Sequence, residues 1–247
     1  MANNIIKQSN LPLIRALWLL AKAWRDDGYK GSTETTRRLL EWWFKEEHII
    51  KKDEFKFWRA QKQAAEALIY CYEVLKTRSL YELSQQLDVS IPLDPRSDKW
   101  AKYAFKMATG SGKTMVMAMA IVWSYFNALY EKNNKGYSKN FLLVAPNLIV
   151  LDRLMGDSES PEFFSGAIFK NYPLIPPEWK KDFQLDVIGP DDPLTLKKKG
   201  ILYLTNWQKF VERDENDTKS PVQELLGPKP PSEIKTMLPP ICQTRNC

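Results

Sequence analysis

The sequence predicts an α/β protein in which a tryptophan-rich helical region, residues 1–90, is followed by a parallel sheet within residues 102–247. Three features support this division. Apolar residues first recur at helical spacing, Pro92 and Pro95 then indicate a linker over 91–101, and short apolar runs with long connections follow. Strands that are separated by helices or long connections are typical of parallel sheets.

Helix signals divide the first region into four segments. A side-chain cap before an apolar periodic stretch indicates a helix start, and glycine indicates a stop. The predicted helices are one from Asn10 to Gly28 with Pro12 in its first turn, one capped by Ser32 or Thr33, one over residues 54–76, and a short one capped by Ser79. Ser79 and Glu82 form a capping box for the last helix.

Four short runs after the linker predict strands. Residues 103–107 alternate between apolar and other side chains, and residues 141–146 form a continuous apolar run, as in a parallel strand buried on both faces. Residues 184–188 and 201–204 are two further apolar runs. We therefore expect a parallel sheet in this half of the chain.

Composition restricts the functional classes. The net charge of +6 and the pI near 9.0 are compatible with a nucleic-acid partner and equally with a solvated basic surface. The three cysteines have no metal-ligand spacing, which predicts a reduced, cytoplasmic protein. The single histidine, His48, argues against a multi-histidine metal site, and the lack of a long apolar run predicts no membrane partner.

Residues 106–114, the glycine-rich loop, carry the strongest chemical signal. The loop lies between a predicted strand and a long apolar helix, which is the setting of a phosphate-binding loop. Its glycines let backbone N–H groups point at phosphate oxygens, Lys113 would reach the β- and γ-phosphates, and the Thr114 hydroxyl would hold Mg²⁺. The predicted binding residues are Thr109, Gly110, Ser111, Gly112, Lys113 and Thr114. Met107 stands where the general pattern has its first glycine.

Several segments, in the same order along the chain, resemble superfamily 2 helicases. The run Gln61-Lys62-Gln63-Ala64-Ala65 resembles their adenine-reading segment, and Met107-Ala108-Thr109-Gly110-Ser111-Gly112-Lys113-Thr114 is similar to the loop of the helicase (Res) subunit of type III restriction enzymes. Ala145-Pro146-Asn147 and Leu204-Thr205-Asn206 resemble segments that contact nucleic acid, and Leu225-Leu226-Gly227-Pro228-Lys229-Pro230-Pro231 resembles a connecting stretch.

The resemblance implies a RecA-like ATP-binding domain that uses ATP and Mg²⁺, acts on DNA and has a modification methyltransferase subunit as partner. Gln61 would read adenine, with Phe55 or Phe57 stacked on the ring, while Pro146, Asn147, Thr205 and Asn206 would contact nucleic acid. The family's activity is that of an ATP-dependent helicase, in some members with a nuclease domain.

Alternatives remain at each level. Gln61 is alternatively an ordinary solvent-facing helix residue, and Thr205 and Asn206 alternatively cap a strand end or turn. The chain as a whole is alternatively a nucleic-acid-binding or interaction fragment without turnover, or an unrelated phosphate-loop enzyme such as a small-molecule kinase.

An acidic pair that would hold Mg²⁺ and orient water is missing from the pattern. No apolar run is followed by Asp-Glu, and both Asp191-Asp192 and Asp214-Glu215 have loop-like surroundings. In relatives an Asp-Glu-Ala-His segment follows the connecting stretch, whereas this chain stops at Cys247. We therefore expect an N-terminal fragment with an incomplete RecA-like domain and incomplete catalysis.

Overall fold

The computed structural model describes residues 12–89, 101–132, 136–156, 167–190, 192 and 199–210. The chain divides into two compact units. The first unit comprises residues 1–138 and 172–183, and the second comprises residues 139–171 and 184–247. The linker predicted over 91–101 falls almost entirely outside the described residues, so the proposed domain boundary stays a prediction.

The first unit consists of helices with one small hairpin. Its elements are α1 (Pro12–Asp26), α2 (Glu34–Phe44), β1 (His48–Ile50), β2 (Asp53–Phe55), α3 (Arg59–Ile69), a π-helical turn (Tyr70–Val74), α4 (Leu80–Gln86), α5 (Lys113–Tyr130) and a 3₁₀ turn (Pro177–Trp179). Helix α5 packs against α2 and α3, and α1 packs against α3. The core includes the fully buried Leu39, Leu40, Trp43, Val122 and Phe126.

Two predicted caps lie at the helix starts. Thr33, rather than Ser32, caps α2, because its Oγ1 accepts the N–H of Thr36 at 3.0 Å. Ser79 caps α4 in the same way through the N–H of Glu82 at 3.2 Å. The α1 cap predicted at Asn10 lies outside the described residues.

The helix predicted over residues 54–76 is wrong at both ends. Residues 48–55 form the antiparallel hairpin β1–β2, and α3 begins only at Arg59. The hairpin turns through Lys51 and Lys52, which adopt left-handed φ values of 50° and 78°. After Ile69 the helix widens into the π-helical turn, so regular α-helix ends seven residues before the predicted stop at Lys76.

The second unit contains a three-stranded parallel sheet. Its elements are β3 (Asn140–Ala145), α6 (Leu148–Met155), α7 (Ala167–Asn171), β4 (Leu185–Ile188), β5 (Gly200–Asn206) and a 3₁₀ turn (Trp207–Phe210). The strand order is β3-β5-β4, and the register pairs Ala145 with Asn206. This confirms the mixed α/β class and three of the four predicted strands.

Two strand predictions need correction. Residues 101–108 have no regular structure, so the strand predicted at 103–107 is absent; its apolar side is not buried, since Phe105 is 40% exposed. Strand β3 is parallel as expected but lies at an edge of the three-stranded sheet. Leu142 at its centre is 60% exposed, so β3 is not buried on both faces. No helix within the described ranges is long and apolar enough to cross a membrane.

Candidate functional site

The glycine-rich loop makes two left-handed turns immediately before α5. Gly110 has a φ of 78° and Gly112 a φ of 82°, a region in which a side chain would be strained. The N–H of Ser111 donates to the carbonyl of Ala108 at 3.2 Å, and Gly112 caps the start of α5. The loop therefore curls tightly and places a helix N-terminus directly behind it.

Lys113 bends back over this loop. Its Nζ donates to the carbonyl oxygens of Met107 at 3.1 Å and of Ala108 at 3.0 Å. The Ser111 hydroxyl donates to the same Ala108 carbonyl at 2.6 Å. The Lys113 side chain is exposed and Thr114 is half-buried. An anion that enters the loop can replace the two carbonyls as the partner of the Lys113 ammonium, because ammonium-to-anion hydrogen bonds are stronger than those to neutral acceptors.

Gln61 lies against the loop although 51 positions separate it from Gly112 in the sequence. A Cβ added to Gly112 would lie 2.1 Å from the Gln61 Nε2, so a side chain at this position would displace the amide. The Gln61 Oε1 accepts the N–H of Trp58 at 2.7 Å at the start of α3. Gln61 is 7% exposed, so the alternative of a solvent-facing helix residue is wrong.

The helix that carries Gln61 is held by an ion pair between the half-buried Arg25 and the buried Glu66. Arg25 Nε on α1 donates to the Glu66 Oε1 at 2.7 Å, and the Tyr29 hydroxyl donates to the same oxygen at 2.8 Å. Glu66 is 1% exposed, and its hydrogen bond raises the pKa of Arg25. Removing one partner of such a pair would leave a buried charge without compensation.

The aromatic side chains near Gln61 differ in accessibility. Phe55 and Phe57 are half-buried and pack against each other with ring centroids 5.0 Å apart. Trp58 is 59% exposed and forms no ring pair with another described residue. The expectation that Phe55 or Phe57 stacks on adenine stays a prediction, and Trp58, three residues before Gln61, is a further candidate. Of the three rings that precede Gln61 in the sequence, only that of Trp58 is exposed.

The remaining predicted site residues meet in the second unit, at the carboxyl edge of the sheet. Pro146 and Asn147 follow β3, while Thr205 and Asn206 end the neighbouring β5, with Val144 paired to Thr205. Ligands of open parallel sheets commonly bind at this edge.

Both asparagines at this edge act as caps. The Asn147 Oδ1 accepts the N–H of Val150 at 2.9 Å, and the Asn206 Oδ1 accepts the N–H of Lys209 at 3.2 Å. Asn206 is 2% exposed and Thr205 is 8% exposed. The capping alternative therefore describes Asn206 in this structure, and contact of these residues with nucleic acid stays a prediction.

None of the three described parallel strands runs into an acidic residue. They are followed by Pro146, Gly189 and Trp207. The Asp192 Oδ2 accepts the N–H of Gly189 at 2.7 Å, so this carboxylate closes a turn. Asp191, Asp214 and Glu215 lie outside the described residues. Within the described ranges no group of three His, Cys, Asp or Glu side chains could hold a metal, and the role of Thr114 towards Mg²⁺ stays a prediction.

Comparison with known proteins identifies the family. The family model described as "Type III restriction enzyme, res subunit" matches residues 54–225, which is more than half of the chain. No curated protein and no solved structure matches. The matched range contains Gln61, the glycine-rich loop and all three parallel strands. The chain therefore belongs to the family of type III restriction enzyme Res subunits.

Proposed function

We propose that this chain is the ATP-binding part of an ATP-dependent DNA helicase or translocase of the type III restriction kind, with a RecA-like domain built around the β3-β5-β4 sheet. The observation that carries the proposal is the contact between Gln61 and Gly112, which brings an amide able to read a base beside a loop able to bind phosphates. The family assignment supports the same reading.

Each residue of the site has a distinct role in nucleotide binding. Backbone N–H groups of residues 109–112 donate to the phosphates once the Ser111 N–H releases the Ala108 carbonyl. The Lys113 ammonium likewise exchanges its two carbonyl partners for phosphate oxygens. Thr114 supplies the hydroxyl ligand for Mg²⁺. Gln61 pairs with the edge of adenine once its Oε1 releases the Trp58 N–H, and the exposed Trp58 ring covers the base.

We propose DNA as the partner of the second unit. Pro146, Asn147, Thr205 and Asn206 lie at one edge of the sheet, and amide, hydroxyl and backbone groups of this kind bind phosphates. The net charge of +6 favours association with a polyanion. By family analogy the second partner is a modification methyltransferase subunit, in the cytoplasm.

We further propose that this chain by itself binds ATP without turning it over in response to DNA. Bound ATP-Mg²⁺ is the source of energy for movement along DNA in enzymes of this type, and its hydrolysis needs a carboxylate that positions water. The described strands supply no such carboxylate at their carboxyl ends. A nucleic-acid-binding fragment without any nucleotide site is the competing function, and ATP binding separates the two.

Calorimetric titration with ATP and Mg²⁺ tests the proposal. The Lys113→Ala variant is expected to lose measurable ATP binding, because the main cation of the loop is removed. The Lys106→Ala variant is the matched control, since it removes the same charge from an exposed residue of the same loop. ATP binding that is absent from the wild type, or that survives equally in both variants, would overturn the assignment.

A further inference from the structure

The first unit contains a cavity that lies outside the candidate ATP site. It encloses about 640 Å³, within the range of small-ligand pockets. None of the glycine-rich loop residues lines it. The lining residues are Gly31, Thr33, Tyr72, Glu73, Lys76, Thr77, Arg78, Ala101, Tyr103, Gly136 and Tyr137.

One wall of this cavity has unusual backbone geometry. Tyr72 and Glu73 belong to the π-helical turn, and Lys76 follows with a left-handed φ of 54°. Single π-helical turns occur frequently at functional sites, and strained non-glycine residues also cluster there. Two hydrogen bonds hold this strained segment. The Thr77 N–H donates to the nearby Cys71 carbonyl at 3.1 Å, and the Tyr103 hydroxyl donates to the Thr77 carbonyl at 2.7 Å.

The charge of the lining favours an anion. Lys76 and Arg78 are exposed, and neither side chain has an ion-pair partner within the described part of the chain. The one carboxylate of the lining, Glu73, is already engaged. Its Oε1 accepts the Thr36 hydroxyl, the Trp123 Nε1 and the Tyr137 hydroxyl, and its Oε2 accepts the Thr33 N–H. The cavity lining therefore carries two positive charges without an ion-pair partner among the described residues and one carboxylate whose oxygens already accept hydrogen bonds.

An aromatic ring lies beside these cations. Tyr103 is half-buried and anchored through its hydroxyl, and its ring pairs with no other ring among the described residues. Burial raises the pKa of Tyr103 to about 12, so the phenol stays neutral and does not repel an anion. The Tyr72 and Tyr137 rings, with centroids 5.6 Å apart, form another part of the lining.

We propose that this cavity binds a nucleotide unit, with its phosphate on Lys76 and Arg78 and its base stacked on Tyr103. Stacking on aromatic side chains beside a cationic groove is the general mode of single-strand recognition. The same chemistry is presented by a free nucleotide and by one nucleotide of a single strand, and the two sources are separated by the probes. The site is additional to the proposed ATP site and does not depend on it.

The test uses the full chain in the Lys113→Ala background, so that the loop does not contribute. The probes are thymidine monophosphate, followed by calorimetry, and a fluorescein-labelled ten-residue oligothymidylate, followed by anisotropy at several salt concentrations. Lys76→Gly removes the cation and also relieves the left-handed strain, so loss of folding does not explain a loss of binding. Lys52→Gly is the matched control, because it removes another left-handed lysine, at φ 78°, in the hairpin turn outside the cavity.

Lys76→Gly is expected to weaken the binding of both probes. For the oligonucleotide, it is also expected to reduce the slope of log binding constant against log salt concentration by about 0.7 in magnitude. Lys52→Gly should change neither the affinity nor this slope. Tyr103→Leu is expected to weaken binding about 5- to 150-fold through lost stacking. Binding of both probes identifies a free-nucleotide site, and binding of the oligonucleotide alone identifies a strand site. Equal behaviour of the two glycine variants, or no binding of either probe, overturns the proposal.

Discussion

Replacing Gly112 by alanine tests the contact between Gln61 and the glycine-rich loop. A side chain in the left-handed region costs about 1–2 kcal/mol. At Gly112 the new Cβ would also lie 2.1 Å from the Gln61 Nε2. We expect the displaced amide to lose its hydrogen bond to the Trp58 N–H, a loss of about 0.5–1.5 kcal/mol. We expect Gly112→Ala to lower the free energy of unfolding by about 2–3 kcal/mol.

Gly110→Ala is the control for this experiment. Gly110 has nearly the same φ, 78°, but a Cβ there would meet no atom within 4 Å. Only the conformational cost of about 1–2 kcal/mol applies. Urea unfolding of both variants measures the difference in their free energies of unfolding. In a protein that already carries Gln61→Ala, the two glycine substitutions should lower the free energy of unfolding by the same amount. Equal destabilisation by Gly112→Ala and Gly110→Ala in the wild-type background would refute the contact.

Three further predictions concern the base site and the single histidine. Gln61→Ala should weaken the binding of ATP more than that of GTP, and calorimetry should show a loss of about 1–3 kcal/mol in the preference for ATP. Equal losses for the two nucleotides would show that Gln61 does not read the base. Trp58→Ala should weaken the binding of ATP and GTP equally but leave the binding of inorganic tripolyphosphate unchanged. Phe55→Ala should leave the affinity for all three ligands unchanged. Burial lowers the pKa of His48, so its NMR titration should have a midpoint below 6.5. Stability should fall as the pH drops below about 6.5, because the unfolded chain then takes up a proton that the folded chain resists; a midpoint above 6.5 would contradict this.

Local sequence signals accounted for much of the helical unit. Thr33 and Ser79 act as caps because a hydroxyl oxygen before a helix satisfies an N–H group whatever the rest of the fold does. The loop glycines likewise adopt the left-handed conformation that their lack of a side chain favours.

The hairpin could not be predicted in this way. Two-residue turns of this kind usually contain Asn or Gly, whereas Lys51 and Lys52 hold the left-handed conformation here. The strand predicted at 103–107 failed for a related reason. Alternation over five residues predicts a strand only if one face is buried, and Phe105 on the apolar side is 40% exposed.

The candidate site was predicted in part. The loop and Gln61 were recognised from their spacing and resemblance, and their contact is visible only in three dimensions. The sequence does not reveal which of three neighbouring aromatic rings packs into a cluster, as Phe55 and Phe57 do, and which stays exposed, as Trp58 does. The capping role of Asn206 likewise depends on the turn that follows it, Trp207–Phe210.

The most direct test of the account is the identity of the nucleotide that the protein retains in the presence of DNA. Wild-type protein would be incubated with labelled ATP, Mg²⁺ and duplex DNA, separated rapidly from free nucleotide, and its bound label resolved into ATP and ADP. We expect the bound label to be intact ATP, to be lost in Lys113→Ala and to persist in the presence of DNA. Release of labelled phosphate that requires both Lys113 and DNA would contradict it, as would a wild-type protein that retains no nucleotide.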